Sequence, residues 1–252
     1  MSTGASDERK AELAESLAEI RSRVASASSG APTLVAVSKY KPASDIQACF
    51  EQGQLDFGEN YVQELVDKAK ELSQDIRWHF IGTLQSNKAK TLAAIPNLYS
   101  IHTLTSMKTA TLLNNALPSE RKHPLNVLLQ INTSGEDSKS GLSPLLSKDD
   151  NDNDLVKLAK HIVTSCPQLR LDGLMTIGAL EQSLSDDENA DFVTLTTTRD
   201  LLELQLQEDG FLSERRLLLS MGMSSDFEAA LKAGSNIVRV GTGIFGARAT
   251  KQ

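Results

Sequence analysis

Apolar and polar positions follow two rhythms along this chain. The first is helical. Leu13, Leu17, Ile20 and Val24 recur at a spacing of three to four with charged residues between them, which predicts an N-terminal helix over about 5–28. Ser29-Gly30-Ala31-Pro32 ends it. From there short β-branched runs alternate with amphipathic stretches. The runs predict strands at 33–39, 55–59, 78–82, 98–102, 126–132, 169–177, 217–221 and 237–240. Helices are predicted between them, among others at 43–52, 61–72, 106–117, 155–165, 189–207 and 225–233. Strands alternating with helices imply a parallel sheet. Eight such units within 252 residues predict a single (β/α)8 barrel of the TIM type with an extra N-terminal helix, one domain over 1–252. An open doubly wound sheet fits less well, because the first strand-to-helix turn, Lys39-Tyr40-Lys41-Pro42, has no glycine fingerprint.

Composition narrows the function. Apolar residues make up 40% and aromatics 4%, so aliphatic side chains must fill the core. The net charge of −7, without a Lys/Arg run, speaks against a nucleic-acid partner. Cys49 and Cys166 fit neither a metal motif nor a disulfide framework, and the four histidines lack metal spacing. The N-terminus has no apolar signal region and is too acidic for a transit peptide. No apolar run approaches the roughly 20 residues that span a bilayer. A cytoplasmic protein is expected, with a mitochondrial share left open. Two acidic stretches, 143–154 and 181–191, read as solvated loops or helix caps.

In such a barrel the chemistry lies at the C-terminal strand ends. Val35, Val37 and Lys39 share one face of the first strand, which would set an amine over an apolar interior. Burial there disfavours the ammonium, and a neutral amine is what Schiff-base chemistry needs. Spacing alone leaves open a lysine that reaches solvent or an acidic partner. Lys41 reads as a surface charge or phosphate neighbour. After strand seven, Gly222 permits a tight turn and Ser224 or Ser225 is a good helix N-cap. After strand eight, Gly241 and Gly243 flank Thr242. These two loops are the usual phosphate site of the fold. Arg239 lies on the face of Gly241, with either a ligand ring nitrogen or a core acid as its partner. Asn60, His79, Gln85, Asn132, Lys139 and Thr176 gather at other strand ends. His79 reads as a hydrogen-bonded core residue, Glu59 and Asn60 as a network orienting the lysine, and Glu64 as a helix-surface residue.

Seven stretches in order resemble the YggS/PROSC family of pyridoxal phosphate homeostasis proteins, its fungal members especially. They are Ala36-Val-Ser-Lys39 with Lys41-Pro42, Phe57 to Glu64, Trp78 to Lys88, Asn132 to Gly141, Gly173 to Thr176, Ser220 to Ser224, and Val238 to Thr242 with Ile244 to Arg248. The resemblance implies a barrel like the N-terminal domain of alanine racemase, with pyridoxal 5′-phosphate (PLP) held as a Schiff base on Lys39. It implies phosphate binding by Ser224, Gly241 and Thr242, a ring-nitrogen contact from Arg239, and Asn60 and Met223 near the cofactor. Tyr40, Gly243 and the acidic insertions depart from the pattern.

An arginine on the ring nitrogen is a donor, so it weakens the ring as an electron sink. Racemisation tolerates this but needs a second base, which alanine racemase takes from a separate C-terminal domain. Tyr40, Tyr61 and Tyr99 offer no evident substitute. The expectation is therefore a non-catalytic, monomeric PLP carrier in intracellular PLP homeostasis, with apo-enzymes as recipients and no membrane partner. A low-activity amino-acid racemase and a Schiff-base aldolase without the cofactor are the alternatives. Lys139 is a guess for secondary docking of the aldehyde.

Overall fold

The computed structural model describes residues 4–136, 139–178, 189–212 and 215–247. Eight parallel strands close on themselves in sequence order: β1 (Thr33–Val37), β2 (Asp56–Glu59), β3 (Arg77–Phe80), β4 (Leu98–Leu104), β5 (Leu125–Gln130), β6 (Leu169–Met175), β7 (Leu218–Ser220) and β8 (Ile237–Val240). The described helices are α1 (Asp7–Ala27), α2 (Ala43–Glu51), α3 (Val62–Glu71), α4 (Ala89–Ala93), α5 (Met107–Ala116), α6 (Asp154–Ser165), α7 (Ala190–Glu208), α8 (Phe227–Lys232) and α9 (Thr242–Phe245). The predicted barrel is the observed one. Several strands, β1 among them, end sooner than the apolar runs suggested, while β4 runs on to Leu104; β1 stops at Val37 and leaves Lys39 in the following turn.

Alternation sorts the side chains into two apolar cores. Leu34, Ala36, Val238 and Val240 point outward and join the helices in one large cluster. Val35, Leu128, Met175 and Ile237, with Leu218 against them, plug the interior. Val35 pairs with Arg239 across the β1–β8 seam, which puts the arginine inside the barrel.

The first helix is capped by Ser6, whose side chain accepts from the Arg9 amide. Its buried stripe is Leu13, Leu17, Ile20 and Val24, as the sequence pattern requires, and it packs on α2, α8 and α9. Arg9 ties it down by bonding Asp45 at 2.8 Å and the Phe245 carbonyl at 2.9 Å. The chain after β8 is thereby strapped to the start of the protein. In the 143–154 stretch Asn153 caps α6 by accepting from the Leu155 amide. Residues 181–188 of the second acidic stretch lie outside the described residues.

Candidate functional site at the C-terminal ends of the strands

The turn carrying Lys39 is built from below. The Ser38 amide continues the sheet by donating to Gly58 O, and the Ser38 hydroxyl donates to Glu59 Oε1 at 2.6 Å. Lys68 on α3 donates to Ser38 O, Glu59 Oε1 and Glu64 Oε1, all within 2.8 Å. Glu64 also accepts from the Tyr40 amide at 2.7 Å. It is therefore a strut of this turn and not the surface residue its helical position suggested. Tyr40 itself takes a left-handed φ of 63°, which a non-glycine residue adopts only where its surroundings over-determine it. Lys39 is half-buried on top of this assembly. Burial is the largest influence on Glu59 and raises its carboxyl above the usual range, against the opposing pull of Lys68 and Ser38.

Lys41 serves structure. Its ammonium donates to the carbonyls of Phe245, Gly246 and Ala247, holding the segment that follows β8. The loops after β7 and β8 are tied together too, because the Gly241 amide donates to Ser224 Oγ at 3.2 Å. Ser224 is thus not the N-cap. Asp226 occupies that position and accepts from the Met223 amide instead. Gly222 sits at φ 93° where a Cβ would lie 2.5 Å from Ala230. Among the described residues, no acceptor is found for the amides of Ser224, Ser225, Thr242 and Gly243. Gly243 lies against Ile20 of α1, so it answers a packing need.

Asn60 follows β2, and its Oδ1 is buried without a hydrogen-bond partner. Its carbonyl crosses so near Gly82 that a Cβ there would stand 1.9 Å away. Of the other candidates, Asn132 holds its own loop through Glu136 O, and Lys139 pairs with Glu136 at 2.7 Å.

Arg239 is 4% exposed. Its guanidinium donates to Ser220 Oγ at 2.6 Å and to Thr176 O at 2.7 Å, so neither partner is the core acid that the sequence left open. Burial lowers it to about 10, which still leaves it cationic at neutral pH. Two of its five N–H donors are used among the described residues.

Sequence reasoning missed what lies behind Arg239. Ser220 Oγ stands 3.1 Å from His102 Nδ1, His102 Nε2 3.0 Å from His79 Nδ1, and His79 Nε2 2.9 Å from Asp56 Oδ1. Asp56 also binds Arg77 at the opposite end of the barrel. Counting donors fixes the direction of the chain. Asp56, as an ionised carboxylate, only accepts; with neutral imidazoles His79 therefore donates through Nε2 and accepts at Nδ1, which leaves His102 Nδ1 to accept the Ser220 proton. Neutral His102 then carries its proton on Nε2 and donates to His79, which donates to Asp56. His102 is held neutral by burial first, then by His79 and Arg239, all of which push it well below 6.5. Burial would raise Asp56, but His79 and Arg77 outweigh it and hold the carboxyl below its usual range. A fully polarised line of hydrogen bonds thus runs from the Arg239 cation to the Asp56 anion.

The family model for the alanine racemase N-terminal domain matches residues 11–249. The pyridoxal phosphate homeostasis protein of Schizosaccharomyces pombe is 43% identical over 234 residues, covering 92% of each chain. The mouse protein of that name is 45% identical, covering 86% of this chain and 77% of its own. The chain belongs to the pyridoxal phosphate homeostasis protein family. Among solved structures, PipY of Synechococcus elongatus PCC7942 with PLP bound superposes with a TM-score of 0.72 at 33% identity, over 93% of this chain and 100% of that one. Alanine racemase from E. faecalis shares the fold at a TM-score of 0.64 and 13% identity, and this chain spans 58% of it. The family's racemase-like barrel accounts for the eight parallel strands, and PipY shows this fold carrying PLP in a relative.

Proposed function

We infer that this protein binds PLP at the C-terminal end of its barrel and holds it in reserve, in the homeostatic role that its relatives' names give them. The observation that carries this reading is Arg239, a buried cation whose described hydrogen-bond partners are neutral oxygens, on the strand paired with the one that leads into Lys39. The residues fit the cofactor. Lys39 supplies the amine, and the unpartnered Asn60 Oδ1 supplies a buried acceptor. The loops joined by Ser224 and Gly241 supply amides without acceptors, and Thr242 adds a hydroxyl. Met223, half-buried beside Ser224, would line the same end.

Bound PLP supplies an aldehyde that condenses with a lysine amine, and Lys39 is the residue we assign. The protein's own work is to fix that amine and to keep a cation beside the ring. The Glu59–Glu64–Lys68 cluster holds the lysine's turn, and the line from Arg239 to Asp56 keeps the guanidinium in place. A guanidinium donor there would leave the ring nitrogen unprotonated and so a weaker electron sink, which favours holding over turnover. Tyr40 and Tyr61 point their hydroxyls at each other on the exposed rim. No described tyrosine is assigned as a second base, and we read the protein as a carrier.

Borohydride reduction of the PLP-loaded protein, followed by peptide mass mapping, tests the assignment. The adduct is expected on Lys39 and lost in Lys39→Ala. An adduct on Lys41 or Lys139 would overturn it. Solvent deuterium entering the α-position of alanine at a rate that depends on Lys39 would overturn the carrier reading in favour of a racemase.

A further inference from the structure

The barrel has a second polar end. Opposite Lys39, where β4, β5 and β6 begin, a cavity of about 550 Å³ opens between the loops that precede those strands. Its walls carry Arg121, Lys122 and Arg170, with Tyr99, His123 and Asn126 among them, and no carboxylate among the described residues lines it. In a chain of net charge −7 this gathering of cations runs against the composition.

Three details mark it as more than a solvated basic patch. Arg121 is half-buried, which lowers its affinity for its proton, yet its hydrogen bonds go to the carbonyls of His123 and Leu98. Among the described residues no carboxylate pairs with it. Carbonyls orient a guanidinium without neutralising it, and buried charges are ordinarily paired. Asn126 is 4% exposed, and its Oδ1 has no partner. Its amide can turn to offer either end. Ser100, its register partner on β4, is also buried with an unpartnered hydroxyl. Arg170 shares Asp172 with Arg215, at 3.4 and 3.1 Å, so a single acid serves two guanidiniums.

We propose that this cavity is a second ligand site that takes a small phosphate ester. The phosphoryl group lies among Arg121, Lys122 and Arg170, and the organic part lies on the half-exposed Tyr99 ring. The volume falls in the range of sites for small organic molecules, about 300–1,000 Å³, and exceeds what a bare phosphate ion fills. Arginine and lysine donors at one spot, with a neutral amide behind them, recognise phosphate oxygens.

Calorimetric titration tests the site, run in a Ser224→Ala/Thr242→Val background that silences the upper loops. The probes are inorganic phosphate, ribose 5-phosphate, adenosine 5′-monophosphate and adenosine. The esters are expected to bind more tightly than phosphate, and adenosine to fall well behind its monophosphate. Arg121→Gln should weaken ester binding about tenfold or more. Lys122→Gln/Arg170→Gln, which changes two exposed side chains, should do the same without unfolding the protein. Unchanged ester affinity in the double variant, adenosine binding as well as its monophosphate, or no binding of any probe up to about 10 mM would each overturn the proposal.

Discussion

Lowering the pH from about 7.5 to about 5.5 should cost this protein about 1.4 kcal/mol of stability through His102 alone. In the folded state the imidazole is fully buried between Ser220 and His79, and its pKa lies well below the ordinary 6.5. A histidine with a depressed folded pKa stabilises the fold above its ordinary value. That contribution is lost as the pH falls, because the unfolded chain then takes up a proton that the folded chain refuses. With an unfolded pKa of about 6.5, the unfolded state gains RT ln(11/1.1), or about 1.4 kcal/mol, over this interval. Carboxylates contribute to acid sensitivity as well, so the measurement must be a difference of differences. Urea unfolding of wild type and His102→Gln at both pH values cancels everything the two proteins share. Gln keeps an acceptor for Ser220 and a donor for His79. Wild type should lose about 1.4 kcal/mol more than the variant between the two pH values. Equal losses would refute the buried, neutral His102 and with it the direction assigned to the line of hydrogen bonds.

Lys68→Met should destabilise the protein by about 3–5 kcal/mol, because it strands Glu59 as a buried charge, while Glu59→Gln/Lys68→Met should recover most of that loss. Urea midpoints decide this, and a double variant no better than the single one would count against the network. Arg239→Gln should weaken PLP binding by about 1.5–3 kcal/mol, tenfold or more in Kd, read by spectrophotometric titration; unchanged affinity would remove Arg239 from the site. Gly82→Ala forces a methyl to within 1.9 Å of the Asn60 carbonyl, so a soluble, equally stable variant would contradict the close crossing of those strand ends.

The barrel was legible because its grammar is local. Most strands announce themselves in a short apolar run between turn residues and the long helices in a 3.6-residue stripe, and α1 buries the four residues its spacing named. The short α4 left no such stripe and went unpredicted. The candidate site was legible as an arrangement where it follows chain order, as with the joined loops after β7 and β8 and the pairing of β1 with β8. It was illegible where the partners are distant in sequence. His102 lies 118 residues from Ser220, and nothing in either strand's alternation says that they meet across the interior. Lys68 shows why local pattern misleads. At i+4 from Glu64 on an amphipathic helix it reads as a solvated surface pair, yet its ammonium is buried under the Lys39 turn. Three of its bonds converge on the backbone and carboxylates that shape that turn, and Tyr40 holds a left-handed conformation that its side chain does not advertise. The general rule is that sequence periodicity reports which face of an element is buried and in which layer. It does not report which buried polar groups close on one another, because that depends on register around the whole barrel. In this protein those closures shape the turn that carries Lys39 and the setting of Arg239, so the part of the candidate site that chain order leaves unspecified is the part that its buried polar contacts fix.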